Sequence, residues 1–201
     1  MNAAQLRLRL DQMLALPLGG VAYGEDVLSE LEKPPVPAAV LVPLIMAESP
    51  KILLTKRTAH LKKHAGQVSF PGGRIDPDDA HPEAAALREA QEEIALDPAS
   101  VEVVGRMEDY VTGTGYRITP VLGLLPPDLL YRPSPHEVEA VFELPLHVLL
   151  DPDAPRRQRQ HVRGEWREYW VWPHPEHFIW GATAAILVHL ARKLRSAGLP
   201  C

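Results

Sequence analysis

The sequence predicts a mixed fold of the α/β or α+β class, a mixed β-sheet packed by helices. Three observations predict it. Short β-branched and leucine-rich runs lie both before and after one central helical segment; further helical patterns lie near both ends; and 21 prolines in 201 residues cut the chain into short elements joined by ordered turns. This length suits one full-sized core, so a single domain over 1–201 is expected, with an N-terminal helix and linker over 1–37 and the core over 38–198. Apolar residues at 46% and charged ones at 23% match an ordinary globular chain and exclude wholesale disorder.

Met1 to Leu18 reads as a short amphipathic helix interrupted by Arg7, Arg9 and Asp11. It lacks the uninterrupted apolar stretch of a secretory signal, and nowhere do about 18 apolar residues run together as a membrane span requires, so no membrane partner and a cytoplasmic location are expected. Ala38 to Met46 and Lys51 to Lys56 read as two strands joined by a turn at Glu48-Ser49-Pro50. Gln67 to Phe70 is a short alternating piece that runs into Pro71-Gly72-Gly73, a strong breaker. Pro82 suits the first position of a helix that continues to about Ile94 and ends near Asp97-Pro98, because a residue before proline is pushed out of helical geometry. Val101 to Arg106 and Ile118 to Leu125 read as strands on either side of Thr112-Gly113-Thr114-Gly115, with Val138 to Glu143 and Tyr169 to Trp172 following. Gly181 to Arg195 reads as a closing helix.

Charge and composition narrow the partners. A net charge of −5 argues against a nucleic-acid polymer, whose binders carry a basic excess, but leaves room for a small anionic substrate held by a local basic cluster and a metal. Cys201 is the single cysteine, so no disulfide within the chain and no thiolate zinc cluster can be built. His174 and His177 flank Pro175 without cysteine partners and read as a surface loop. Arg156, Arg157, Arg159 and Arg163 read as an exposed hairpin, and the Gly-x-Gly at 113–115 as a tight turn, since no helical pattern follows it. Trp166, Trp170, Trp172 and Trp180 read as core aromatics.

The central helix carries the chemistry. At about 100° per residue, Leu87, Ala90 and Ile94 share one apolar stripe, while Glu89, Glu92 and Glu93 gather on another face at i, i+3 and i+4. Like charges at this spacing repel. Arg88 relieves part of that by reaching Glu92, and a cation would relieve more. Carboxylate oxygens are hard ligands that suit Mg²⁺ or Mn²⁺. By itself such a face is better explained by solvation; Pro71-Gly72-Gly73, one short loop upstream, reverses the reading toward a metal site. Glycine there lets the backbone approach closely, and a Gly73 carbonyl could add a neutral oxygen ligand.

Gly73, Asp79 and Arg88-Glu89-Ala90-Gln91-Glu92-Glu93-Ile94-Ala95-Leu96 together resemble the signature of the Nudix hydrolases. Asp79 stands in place of a glutamate, the spacing is one residue longer, and Ala95 stands where glycine is usual. The resemblance implies an α/β/α sandwich around a mixed sheet, hydrolysis of a pyrophosphate bond, a divalent metal, and Arg88, Glu89, Glu92 and Glu93 as the catalytic set. Which carboxylate serves as base stays open. Glu137, at the start of a strand, is a candidate for a further ligand or base, with a plain surface carboxylate as the competing reading.

A second resemblance narrows the substrate. Leu53-Leu54-Thr55-Lys56-Arg57 followed by His64-Ala65-Gly66-Gln67-Val68-Ser69-Phe70-Pro71-Gly72-Gly73 is similar to the coenzyme A pyrophosphatase branch of that family. The likeness continues through Thr114 to Val121, Glu137 to Glu143 and Phe178 to Ala184. It implies cleavage of coenzyme A or a derivative to 3′,5′-ADP and 4′-phosphopantetheine. Arg57, Lys62, His64 and Gln67, with Lys63 beside them, are the candidate ligands of the substrate phosphates. ADP-ribose, a dinucleoside polyphosphate or a reduced dinucleotide would call on the same chemistry, and a non-catalytic nucleotide sensor on the same scaffold is the rival of another class. The oligomeric state, a homodimer included, is left open.

Overall fold

The computed structural model describes residues 1–24, 33–61, 64–162 and 165–197. In chain order the elements are α1 (Ala3–Leu14), β1 (Ala22–Tyr23), β2 (Val36–Ile45), β3 (Lys51–Arg57), β4 (Val68–Ser69), β5 (Gly72–Arg74) and α2 (Pro82–Ile94). They continue with a 3₁₀ turn (Pro98–Ser100), β6 (Glu102–Arg106), β7 (Tyr110–Val111), β8 (Tyr116–Leu125), β9 (Val138–Pro145) and α3 (Leu146–Leu150). The last are β10 (Arg156–Val162), β11 (Glu165–Trp172), β12 (Ile179–Trp180) and α4 (Gly181–Ser196).

Among the described residues, β1 to β9 form one mixed sheet. Its spine is the parallel pair β2 and β8, in register from Val36 opposite Tyr116 to Ile45 opposite Leu125, with β3 antiparallel to β2 and β9 antiparallel to β3. Strand β2 holds Pro43 in the sheet interior, where a missing N–H would normally break a ladder. On the flank away from β8, β5 pairs with Ala38 to Val40 and β3 with Leu44 and Ile45, so Pro43 falls in the gap between the two ladders. Strands β10, β11 and β12 form a separate small antiparallel sheet.

Strand alternation divides the core into two layers. Val42, Leu44, Ile52, Leu54, Leu122 and Leu124 face α1, α3 and α4, where Leu6, Leu10, Leu187 and Leu190 are fully buried. Ala39, Leu41, Leu53, Val121 and Leu125 face α2. That helix meets the sheet through Ala85, Ala86 and Ala90, all fully buried. Small side chains on this face bring α2 close to the sheet, and its carboxylates close to β5. The mixed sheet with helices on both faces is the predicted class. Among the described residues no helix is long and apolar enough to cross a membrane.

Two local expectations are corrected. Pro71-Gly72-Gly73 is a breaker for one residue only. Gly72 to Arg74 pair with β2, because a strand needs no side chain to use its backbone donors and acceptors. The α2 helix ends at Ile94 as expected, but its stop is not Asp97-Pro98: Ala95 takes a left-handed conformation (φ 54°, ψ 33°) and its N–H closes the last turn on the Ala90 and Gln91 carbonyls, while Asp97 caps the following 3₁₀ turn. An L-residue with a Cβ pays about 1 kcal/mol for that conformation, and glycine does not. Ala95→Gly is therefore expected to stabilise the fold by roughly 1 kcal/mol, read as a higher midpoint in urea at unchanged slope.

Candidate active site

The site lies where α2, β5, the end of β3 and the start of β9 meet. Glu93 is 2% exposed, so its carboxylate must be satisfied from within. One oxygen, Oε1, accepts from Arg57 Nη1 at 3.1 Å; the other, Oε2, accepts the Gly72 N–H at 3.3 Å. Burial dominates its protonation. It pushes the carboxyl up to about 7 against the pull of Arg57 and Gly72, and the charges of Glu89 and Glu137 push the same way.

Glu89 sits one turn earlier and lies against Gly73. A Cβ on Gly73 would run into the Glu89 carboxylate, so glycine is what lets that carboxylate lie where it does. Burial also raises Glu89, opposed by Arg88 and reinforced by Glu92 and Glu137. The clash is with the end of a movable side chain, so Gly73→Ala should fold while displacing Glu89. Its kcat is expected to fall about 10²-fold, as an ångström-scale misplacement does, with thermal stability close to the parent's.

Arg88 ties the loop to the helix. Its Nε and Nη2 donate to the two Asp79 oxygens at 3.1 and 3.0 Å, Nη2 also reaches the Arg74 carbonyl at 3.2 Å, and Nη1 reaches Glu89 at 3.1 Å and Glu92 at 3.3 Å. These hydrogen bonds, Asp79's foremost, hold the guanidinium above its usual range, and Arg88 in turn holds Asp79 below the usual carboxylate range. Glu92 is the outermost of the three, with its side chain 60% exposed.

Glu137 stands in the loop immediately before β9. Its carbonyl accepts the Thr58 N–H at 2.9 Å and its own N–H reaches Ser134 O at 3.0 Å, while Ser134 N–H donates to the Glu93 carbonyl at 2.8 Å. The loop before β9 is thus hydrogen-bonded to the end of α2, which accounts for the effect of Glu137's charge on both Glu89 and Glu93. Gln67 and His64 lie in the turn between β3 and β4. The His64 Nδ1 and Gln67 Oε1 atoms are 2.9 Å apart, the Gln67 carbonyl accepts the Arg57 N–H at 2.9 Å, and His64 takes a left-handed φ of 55°. Lys62 and Lys63 lie outside the described residues.

Of the predicted residues, Glu89, Glu92 and Glu93 thus lie along α2 with two arginines bonded among them, Arg88 to the first two and Arg57 to the third. As they stand, no three His, Cys, Asp or Glu side chains among the described residues converge as a ready metal cage. Glu93 points in toward the sheet and Glu92 out, each turned to an arginine. The donor set suits a hard divalent cation: three helix carboxylates, a fourth acid raising two of them by repulsion, and a backbone held close by Gly73. Three features escaped the sequence reading. The N–H of Gly72, the paired grip of Asp79 on Arg88 and the Ser134 bridge to α2 all depend on contacts across the fold.

The fold and this loop-and-helix arrangement define a hydrolase of the Nudix class, and the family model of the NUDIX domain matches residues 35–184. The chain belongs to the Nudix hydrolases, enzymes that act on pyrophosphate bonds in small nucleotide derivatives and generally use divalent metals such as Mg²⁺ or Mn²⁺. It is 47% identical over 157 residues to an uncharacterized Nudix hydrolase, NudL, of Escherichia coli (strain K12), covering 78% of this chain and 82% of the relative. The same identity and coverage hold for NudL of Shigella boydii serotype 4. Among solved structures, the Nudix hydrolase RenU of M. Smegmatis superposes with a TM-score of 0.56 at 18% identity, over 84% of this chain and 91% of that one. The Nudix domain of Shewanella oneidensis NrtR, solved with ADP ribose, gives 0.50 at 19% identity, over 82% and 88%. Both structural likenesses speak for the fold.

Proposed function

We propose that this hydrolase cleaves the pyrophosphate bond of coenzyme A or a derivative, releasing 3′,5′-ADP and 4′-phosphopantetheine. The observation that carries the substrate class is the segment from Leu53 to Arg57 and from His64 to Gly73. It resembles the coenzyme A pyrophosphatase branch, and it is tied at Arg57 and Gly72 to the buried carboxylate of α2. A substrate with a pyrophosphate and a separate 3′-phosphate calls for cations beyond a metal, and Arg57, Lys62, His64 and Gln67 are the residues assigned to them.

Glu89, Glu92 and Glu93, with the Gly73 carbonyl, are assigned as the metal ligands. Bound Mg²⁺ or Mn²⁺ would neutralise charge on the phosphorus under attack and acidify water. The protein's own part is to place and to deprotonate. Arg88 fixes Glu89 against the loop, Arg57 and the phosphate segment orient the diphosphate, and one carboxylate, with Glu137 a candidate, takes the proton of the attacking water. The water oxygen bonds to one phosphorus, the bridging P–O bond breaks in line, and the other phosphate departs as an oxyanion.

The test is a substrate panel with Mg²⁺ or Mn²⁺ and products identified by mass. Coenzyme A or its esters should be turned over in preference to ADP-ribose and dinucleoside polyphosphates. A clear preference for ADP-ribose overturns the substrate assignment. Tight nucleotide binding without hydrolysis of any pyrophosphate would instead point to a sensor.

A further inference from the structure

Arg57 closes β3 at a change of register. Lys56 faces Ala140 while Arg57 faces Val138, so Glu139 is passed over. An extra residue on one strand of an antiparallel pair bends and twists it, and here the side chain at the bend reaches from the sheet across to α2. Both oxygens of the Glu93 carboxylate consequently end on protein donors, the guanidinium of Arg57 and the N–H of Gly72. Arg57 is not fully used by this contact. Its Nε is buried and makes no hydrogen bond, and its side chain is 23% exposed. A buried charged donor left idle is uncommon. It is accounted for if this guanidinium also serves a second partner.

We infer that Arg57 is the resident counter-ion of Glu93 and that a divalent cation competes with it for that carboxylate. When the cation takes Glu93, the guanidinium is released, and its fork, idle Nε included, becomes available to a substrate phosphate. Cation and phosphate then bind in order, the cation first. The inference rests on the proposed reading of Glu93 as a metal ligand. It follows from the geometry in two ways. Two cations on one enclosed carboxylate repel each other, so the stronger charge displaces the weaker. And Arg88 Nη1 bridges Glu89 and Glu92, while Glu93 is paired with Arg57 instead, so Arg57 holds the one helix carboxylate that this bridge leaves out. An arginine that merely propped Glu93 toward a metal would have the opposite consequence, since its loss would weaken metal binding.

The experiment uses the full chain freed of metal. Mn²⁺ is titrated by calorimetry at pH 8.5, and thermal stability is followed with and without Mg²⁺, for the parent, Arg57→Met, Arg57→Lys and Glu93→Gln. Arg57→Met is expected to bind Mn²⁺ about tenfold more tightly than the parent and to gain more in melting temperature from Mg²⁺, because the cation fills the place the arginine held. Arg57→Lys keeps the competing charge and should stay within about threefold of the parent. Equal or weaker Mn²⁺ binding by Arg57→Met overturns the exchange. Glu93→Gln separates the two ideas. If it binds Mn²⁺ as well as the parent does, the ligand reading itself fails; if it loses Mn²⁺ while Arg57→Met gains nothing, only the exchange fails. Should Arg57→Met not fold without metal, the parent alone decides the matter. Its Arg57 Nε–Hε resonance, assigned by its disappearance in Arg57→Lys, must move when Mg²⁺ saturates the protein, and an unmoved resonance overturns the exchange.

Discussion

Glu93→Gln is expected to lower kcat by roughly 10³-fold or more while leaving the protein folded, the span that loss of one positioned catalytic carboxylate produces. The substitution keeps shape and one oxygen but removes the charge from the carboxylate that is 2% exposed and held by Arg57 and Gly72. Its effect on stability should run the other way. Burial pushes the Glu93 carboxyl up to about 7 from an ordinary 4.5. A carboxyl raised on folding contributes stability that is complete below about pH 4.5 and lost as pH rises through 7. At pH 8 without metal the ionised side chain is therefore a burden that glutamine lacks. Metal-free Glu93→Gln should melt at or above the parent's temperature at pH 8, with the gap closing as pH falls toward 4.5. Activity with Mg²⁺ and unfolding without it, measured on one preparation, check both halves; a fully active variant would refute Glu93's place in the site.

Glu108→Ala has the largest expected cost to the fold. Glu108 is 8% exposed, and its carboxylate ties its own segment to the Gly19 N–H at 2.9 Å and to α4 through His189 at 3.0 Å and Lys193. Burial alone would raise it. The hydrogen bonds from Lys193 and Gly19 overcome burial and hold it down at about 2. Removing one partner of such an enclosed pair costs about 3 kcal/mol, near 10 °C in melting temperature for a chain of this size. A carboxyl lowered on folding contributes above pH 4.5 and loses its contribution as pH falls through 2, so the parent's advantage over Glu108→Ala should shrink to about half by pH 3. Denaturant unfolding at pH 7 and pH 3 tests this. Glu108 sits against α4, across the sheet from α2, and kcat at pH 7 should not change; a comparable loss at both pH values would show that packing, not charge, is what Glu108 supplies.

How much of this was legible beforehand depended on whether the signal was local. The helix from Pro82 to Ile94 follows from spacing along one element and appears as read, with Ala90 and Ile94 of its apolar stripe buried and Leu87 partly so; its acidic face is divided, Glu93 buried and Glu92 exposed. The strands of the parallel spine were legible from their apolar runs. What the sequence could not disclose were contacts between distant segments. That the inward Glu93 meets Arg57, 36 positions away, is one such contact. That Gly72 donates an N–H while Gly73 makes room for a carboxylate is decided by how close α2 lies, which three buried alanines set. Strand β5 was missed because proline and glycine mark a break in local preference, whereas here pairing with β2 overrides it. The left-handed Ala95 was missed because its conformation goes against what its side chain favours.

The Asp79 and Arg88 pair has one more consequence. Both Asp79 oxygens meet the Arg88 guanidinium, which also reaches the Arg74 carbonyl, so one side chain staples the two ends of the 74–79 segment to α2. The same guanidinium touches Glu89 and Glu92, so cutting that staple would unmoor the turn and two carboxylates in a single event.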